Sequence, residues 1–477
     1  MPLSFLLALV LMGARVASAN KTYTTKDGQR LHVVPPSASL LVHISSLVGP
    51  QMAQLFNSTG RKLKSFKRKE SAALQWRLVA EQWIRALNSV PAANATLAEA
   101  FTQAAIPRRP TTVSTLAQAD ELQRPLLCVH FASADSPSVF DNIRSNVLAT
   151  KAWCDWALVF YAGSAYAIRE FEKSVNAAAA TAATAASGAA ATGGRIVLAT
   201  RYVPPGQEQV ASTSSAAGNA ASPYTPKPLM YRALLPLLPR YKRAWLLDSD
   251  ISLASFPLQR FFALLACASG ASPAHPVLIA QPVIQQDTQD FPLFNLGSWT
   301  AAAASAPAPV LAIRYDTVEQ QAPLFDAAFL AWFTRHLIEP HRPLFLRLGS
   351  DWGLDDVWCR AAREYWHFGA TGARPAARSW QDDERLGVPP QCAIAVATPI
   401  SHLGRENVTG SGIGLKHSAA QLARWRFSFG GFLLNKFFAA RFPEWVKTES
   451  AVKETVAGVL AQAKRYPRVT ECKSAGA

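Results

Sequence analysis

The chain has 477 residues, enough for one large domain with an accessory region or for two to three domains. It is 49% hydrophobic and 10% aromatic, which allows a substantial core and excludes disorder throughout. The net charge of +16 suits an anionic ligand, an anionic membrane surface or an acidic polymer. Nucleic acid is not indicated, because there is no zinc-finger spacing and only one short basic run.

The N-terminus, "MPLSFLLALVLMGARVASAN", has an apolar core from Leu3 to Ala14 followed by Ala17-Ser18-Ala19, a small-x-small cleavage pattern. A bilayer span needs roughly 20 apolar residues, so residues 1–19 read as a cleavable signal peptide. The missing positive n-region leaves a signal anchor as the alternative; the short core and Arg15 argue against it. No later stretch qualifies as a transmembrane segment. Sequons at Asn20, Asn57, Asn94 and Asn407 agree with a secretory route, in the lumen of the ER or Golgi or outside the cell. The six cysteines allow fifteen pairings if all are bonded. Several sit in apolar, strand-like runs, where free buried thiols are the equal alternative.

Residues 20–120 read as a partly helical N-terminal extension. Its basic run Arg61–Glu70 leads into a stretch with Leu74, Leu78, Trp83 and Leu87 on one helical face. Such a run is a solvated helix face or, alternatively, a contact for an acidic glycan or membrane surface.

From Pro125 the texture is regular, and residues 121–410 read as one domain. "PLLCVHFA" is a buried strand, and Ser136-Pro137 open a helix through "SVFDNIRSNVLATKAW". The strand "WALVFYAG", the helix "AIREFEKSVNAAAA" and the strand "RIVLATRYV" follow. "KPLMYRALLPLLPRY" reads as a helix broken by Pro236 and Pro239, and "RAWLLDSD" as the fourth strand. Alternation of this kind implies a mostly parallel sheet flanked by helices, whose ligands bind beyond the carboxyl ends of its strands. The tracts Ala177–Gly194, Pro204–Pro226 and Ala301–Pro309 have linker composition. In "APLFDAAFLAWF", Phe325, Phe329, Trp332 and Phe333 share a helical face and belong to the core. Residues 411–477 read as a C-terminal helical region.

The chemistry concentrates at three strand or helix ends. Asp248-Ser249-Asp250 closes the fourth strand, and such a turn is either an Asx-type turn or a divalent metal site. In a metal-dependent glycosyltransferase, such carboxylates hold Mn²⁺ or Mg²⁺ against a nucleotide-sugar diphosphate. In a phosphohydrolase of the haloacid-dehalogenase type, Asp248 would be the nucleophile and Asp250 the general acid. That pattern normally lies on the first strand of its domain, whereas three strand–helix units precede it here, which favours the transferase. "LRLGSDWGLDDVWCRAA" places Asp351, Asp355 and Asp356 before a helix, where acids also serve the helix dipole. His402 ends the strand "AIAVATPISH" and is either structural or a third metal contact. Lys227 is a diphosphate contact or a plain surface lysine.

The order of these elements, together with "KPLMYRALLPLLPRYKRAWLLDSDISLASFPLQRFF", "VEQQAPLFDAAFLAWF", "DWGLDDVWCRAA" and "ISHLG", resembles a plant-type family. It is catalogued as domain of unknown function seven hundred and seven, and its glycosyltransferase activity is itself inferred. The similarity spans roughly Pro125 to Gly404. The family's usual Trp-Asp-Glu-Asp turn stands here as Leu247-Asp248-Ser249-Asp250, with both outer aspartates kept. Its matching block has Phe where this chain has Asp356, which puts the active carboxylate at Asp355. The resemblance implies a GT-A-like fold, a nucleotide-sugar donor, and a glycan or other hydroxyl acceptor. It agrees with Asp248 and Asp250 as metal ligands, to which the strand-end position adds His402 as a further one. A non-catalytic glycan-binding relative is the third reading.

Overall fold

The computed structural model describes residues 21–24, 30–33, 126–133, 137–185, 195–202, 226–270, 275–285, 292–303, 308–342, 345, 351, 354–371, 385, 388–403, 455–462 and 466–472. The chain divides into two units, Met1–Ser89 and Val90–Ala477. In the first, strands β1 (Lys21–Thr24) and β2 (Arg30–Val33) pair antiparallel. The expected signal peptide, the four sequons and the basic helix fall outside the described residues.

The second unit carries a ten-stranded mixed sheet with helices on its faces. It begins with β3 (Leu126–Ser133), α1 (Pro137–Ala149), β4 (Cys154–Ala162), α2 (Ala165–Ala185) and β5 (Ile196–Arg201). Two 3-10 turns, Lys227–Leu234 and Leu238–Arg240, lead into β6 (Arg243–Asp248) and the two-residue β7 (Ile251–Ser252). After α3 (Leu258–Gly270) come β8 (Ile279–Gln285), α4 (Leu296–Ala303), β9 (Ala312–Tyr315) and β10 (Leu324–Asp326). Then follow α5 (Ala327–Phe333), α6 (Asp355–Thr371), β11 (Cys392–His402), α7 (Val456–Ala461) and β12 (Arg468–Val469).

The strands lie in the order β12-β9-β11-β8-β10-β6-β3-β4-β5, with β7 added against β11. The run β5-β4-β3-β6 is parallel throughout, and it is the 3-2-1-4 order of a doubly wound sheet. β10 is antiparallel to both β6 and β8, so β8 and its parallel neighbour β11 run in the same direction as β6. The carboxyl ends of β3, β6, β8 and β11 therefore share one edge.

Strand periodicity explains the two cores. Leu127, Val129 and Phe131 of β3, with Ala244 and Leu246 of β6, face the layer holding Lys227–Leu234, α5 and α6. Cys128, Trp245 and Leu247 face the opposite layer of α1 and α3. Pro137, the first residue of α1, has a fixed φ suited to that position. The buried stripe of α1 is Val139, Asn142, Ile143, Asn146 and Val147. Two asparagines in an apolar stripe call for partners.

Three details depart from the sequence expectations. The broken helix before β6 is a pair of 3-10 turns, because Pro236 and Pro239 remove N–H donors that a continuous α-helical ladder needs. The tract Ala177–Gly194 is helical as far as Ala185, since alanine is the strongest helix former and here extends α2; α4 likewise continues to Ala303. Phe325 is buried as expected but stands on β10, because Asp326 caps α5 by accepting the Phe329 N–H at 2.9 Å.

All six cysteines are bridged, as Cys128–Cys154, Cys267–Cys472 and Cys359–Cys392. Disulfides of this number fit an oxidising compartment, secreted or lumenal. Among the described residues no helix is long and apolar enough to cross a membrane.

Candidate functional site

The parallel run places its first and fourth strands, β3 and β6, side by side, and ligands of such sheets bind in the crevice at that reversal of strand order. Asp248 is the last residue of β6. The chain turns at Ser249-Asp250, and β7 then pairs antiparallel with the end of β11, Ile251 opposite His402 and Ser252 opposite Ser401. The Leu403 N–H donates to the Asp250 carbonyl at 2.8 Å. This pairing brings Asp250 Oδ2 to 3.2 Å from His402 Nε2 across more than a hundred residues of chain. Burial opposes the Asp250 charge, but the His402 hydrogen bond and neighbouring cations hold its carboxyl below the usual range.

Lys227 is no surface lysine. Its side chain is 16% exposed, and its ammonium forms an ion pair with Asp248 Oδ1 and donates to the Gln320 carbonyl at 3.0 Å. Its backbone N–H donates to Asp351 Oδ2 at 3.0 Å. Burial disfavours the ammonium, yet Asp248, Asp351 and Glu319 around it raise its pKa above the ordinary value. For Asp248, burial outweighs the pull of Lys227, and its carboxyl titrates higher than usual.

Asp351 is fully buried, and Gln320 links it to the start of α6: the Gln320 side chain donates to the Asp351 carbonyl at 2.7 Å and to Asp355 Oδ1 at 3.2 Å. Asp355 and Asp356 are the first two residues of α6, where the helix dipole favours acids. The Asp356 side chain lies outside the described residues.

Sequence reasoning passed over Glu319, which no local pattern marks. Its Oε2 accepts the Gln321 N–H at 2.8 Å, while the Gln321 carbonyl accepts the Asp248 N–H at 2.9 Å, so this loop is stitched to the end of β6. Burial, reinforced by Asp355 and Asp248 and opposed by Lys227, pushes Glu319 up to about 8. Asn142 and Asn146, which reach the acidic turn from α1, were also passed over. Their signal was present: two amides on the stripe that should have been apolar.

The structure thus gathers Asp248, Asp250, His402 and Lys227, and ties Asp351 and Asp355 to Lys227 through shared hydrogen bonds. Carboxylate oxygens with one imidazole nitrogen are a donor set suited to Mn²⁺ or Mg²⁺. Asp250 and His402 would hold such an ion, with the Asp248 oxygen left over from the Lys227 pair. Among the described residues no three such side chains already converge on a point.

The chain matches no known family model, and no curated protein matches it in sequence. The resemblance to domain of unknown function seven hundred and seven therefore stands on the quoted blocks alone.

Proposed function

We propose that this chain is a metal-dependent glycosyltransferase of the secretory pathway. It would move a sugar from a nucleotide-sugar donor to a glycan or other hydroxyl acceptor. The observation that carries the reading is the joining of Asp250 to His402 at the carboxyl edge of the sheet, beside the reversal of strand order. A bound Mn²⁺ or Mg²⁺ supplies positive charge to the leaving diphosphate. Asp250 and His402 would hold the ion and Asp248 would complete the oxygen set, while Lys227 offsets the acid on the inner side of the site. In the transfer, the bond from the sugar's anomeric carbon to phosphate breaks and the nucleoside diphosphate leaves with the electron pair. The acceptor oxygen bonds to that carbon, and Asp355 takes its proton.

The supporting experiment is a thermal-shift screen of nucleoside diphosphates and sugar nucleotides with and without Mn²⁺. Specific binding stabilises by mass action, about 2.7 kcal/mol at a ligand concentration 100 times the dissociation constant. Metal-dependent stabilisation with slow donor hydrolysis is expected. A phosphorylated Asp248 formed from a phosphate ester would instead identify the phosphohydrolase, and glycan binding without donor hydrolysis the non-catalytic relative.

A further inference from the structure

The acidic turn does not hold itself. Between Asp248 and Leu253 the chain has a two-residue turn and a two-residue strand, too short to satisfy its own backbone groups. Two amides on α1 do so instead. Asn142 Nδ2 donates to the Ser249 carbonyl at 2.8 Å and to the Ile251 carbonyl at 2.9 Å. Asn146 Nδ2 donates to the Ile251 carbonyl at 2.8 Å, and its Oδ1 accepts the Leu253 N–H at 2.7 Å. Asn146 is itself fixed: its Nδ2 lies 3.0 Å from His130 Nε2, and the His130 ring stacks on Trp156 at 5.1 Å.

We infer that Asn142 and Asn146 are positioning residues that set the Asp248–Asp250 turn for a divalent cation, an inference that rests on the transferase reading above. Both side chains are buried, Asn146 completely and Asn142 to within 6%. A buried amide is costly unless paired, and the backbone partners of these two amides lie between Ser249 and Leu253. The bond to the Ser249 carbonyl fixes the peptide plane before Asp250, and the Leu403 N–H on the Asp250 carbonyl fixes the one after it. The amides on Ile251 and Leu253 hold the chain that follows, so the direction in which the Asp250 side chain leaves the backbone is set. A ligand set must be held to within about half an ångström to keep its affinity. The helix is the jig for the turn.

The test uses the full chain with Asn142→Ala and Asn142→Asp, whose carboxylate turns acceptors toward the two carbonyls. The control is Val147→Ala, a buried core residue of the same helix. Two quantities are read: amide hydrogen exchange at residues 249–253, and affinity for Mn²⁺ alone by electron paramagnetic resonance of the free ion. Expected are faster exchange confined to the turn and affinity lower by about 10–100-fold in both Asn142 variants, while Val147→Ala lowers only the melting temperature. Unchanged exchange in the Asn142 variants overturns the clamp, whatever the metal does. Faster exchange with wild-type Mn²⁺ affinity overturns the positioning role. Faster exchange in the Asn142 variants together with no Mn²⁺ binding by the wild type overturns the transferase reading and the role built on it, and leaves the clamp standing.

Discussion

The two halves of the sheet are made differently. The parallel run β5-β4-β3-β6 comes from one stretch of chain, β3 joined to β4 and β4 to β5 by helices before the chain returns to place β6 beside β3, and it ends in the acidic turn. The mixed half β10-β8-β11-β9-β12 is assembled from segments spread between Ile279 and Val469. From it, and from the loops beside it, come His402, Glu319, Asp351 and Asp355. β7 is the seam: it follows the first half in sequence and hydrogen-bonds to the second. On the proposed reading the two halves have different jobs: the metal would be held at the seam, by Asp248 and Asp250 after the parallel half and His402 from β11, and the acceptor's proton would be handled from the mixed half. Variants on the two sides should therefore fail in different ways.

The largest failure is expected at the seam. Asp250→Ala removes both the metal oxygen and the His402 partner, so Mn²⁺-dependent donor turnover should drop to background while the far-ultraviolet dichroism stays native. On the mixed side, Asp355→Asn should lower turnover by a factor on the order of 10²–10⁴ with donor affinity little changed. Asp356→Asn should be milder, since adjacent helical residues point about 100° apart. Steady-state kinetics of both variants decide; normal turnover in Asp355→Asn with a dead Asp356→Asn would move the base by one residue.

The next effect is on stability. Cys359–Cys392 ties α6, which carries Asp355, to the first residue of β11, which carries His402, closing 33 residues of chain. Replacing both cysteines by serine should cost about 3–4 kcal/mol by the chain-entropy estimate, read from denaturant unfolding.

The smallest effect belongs to the parallel half. Burial lowers His130 to about 4 from the ordinary 6.5, so between those values the unfolded chain binds the proton and the folded one does not. Stability from this group is complete above about 6.5 and falls as pH drops toward 4. The loss amounts to roughly 3 kcal/mol at most. His130→Gln should flatten the acid side of the unfolding-midpoint profile, and an equally steep profile would remove His130 from the account.

What was readable in the sequence follows the same division. β3 to β6 and their two helices announce themselves through apolar runs and crossover spacing, and Asp248 and His402 could be placed at strand ends from local pattern alone. The pairing of β7 with β11 could not, because two residues of strand carry no periodicity. The Lys227–Asp248 pair was hidden because its proximity is created by folding, and a lysine beside prolines looks like a surface residue. Glu319 gave no signal at all. Asn142 and Asn146 gave one that went unused, polar residues at positions i and i+4 of a buried stripe. Composition misled where the Ala/Thr tract was concerned, since a run poor in core-forming residues still favours a helix when alanine dominates it.

The central claim is that Asp250 and His402 form the metal-holding end of a donor site. Calorimetric titration of wild type and Asp250→Ala with a nucleoside diphosphate, each with and without Mn²⁺, tests it most directly. The account predicts binding to the wild type that requires Mn²⁺ and no measurable binding to the variant under either condition. Equal affinity with and without the metal, or a variant that binds like the wild type, would contradict it.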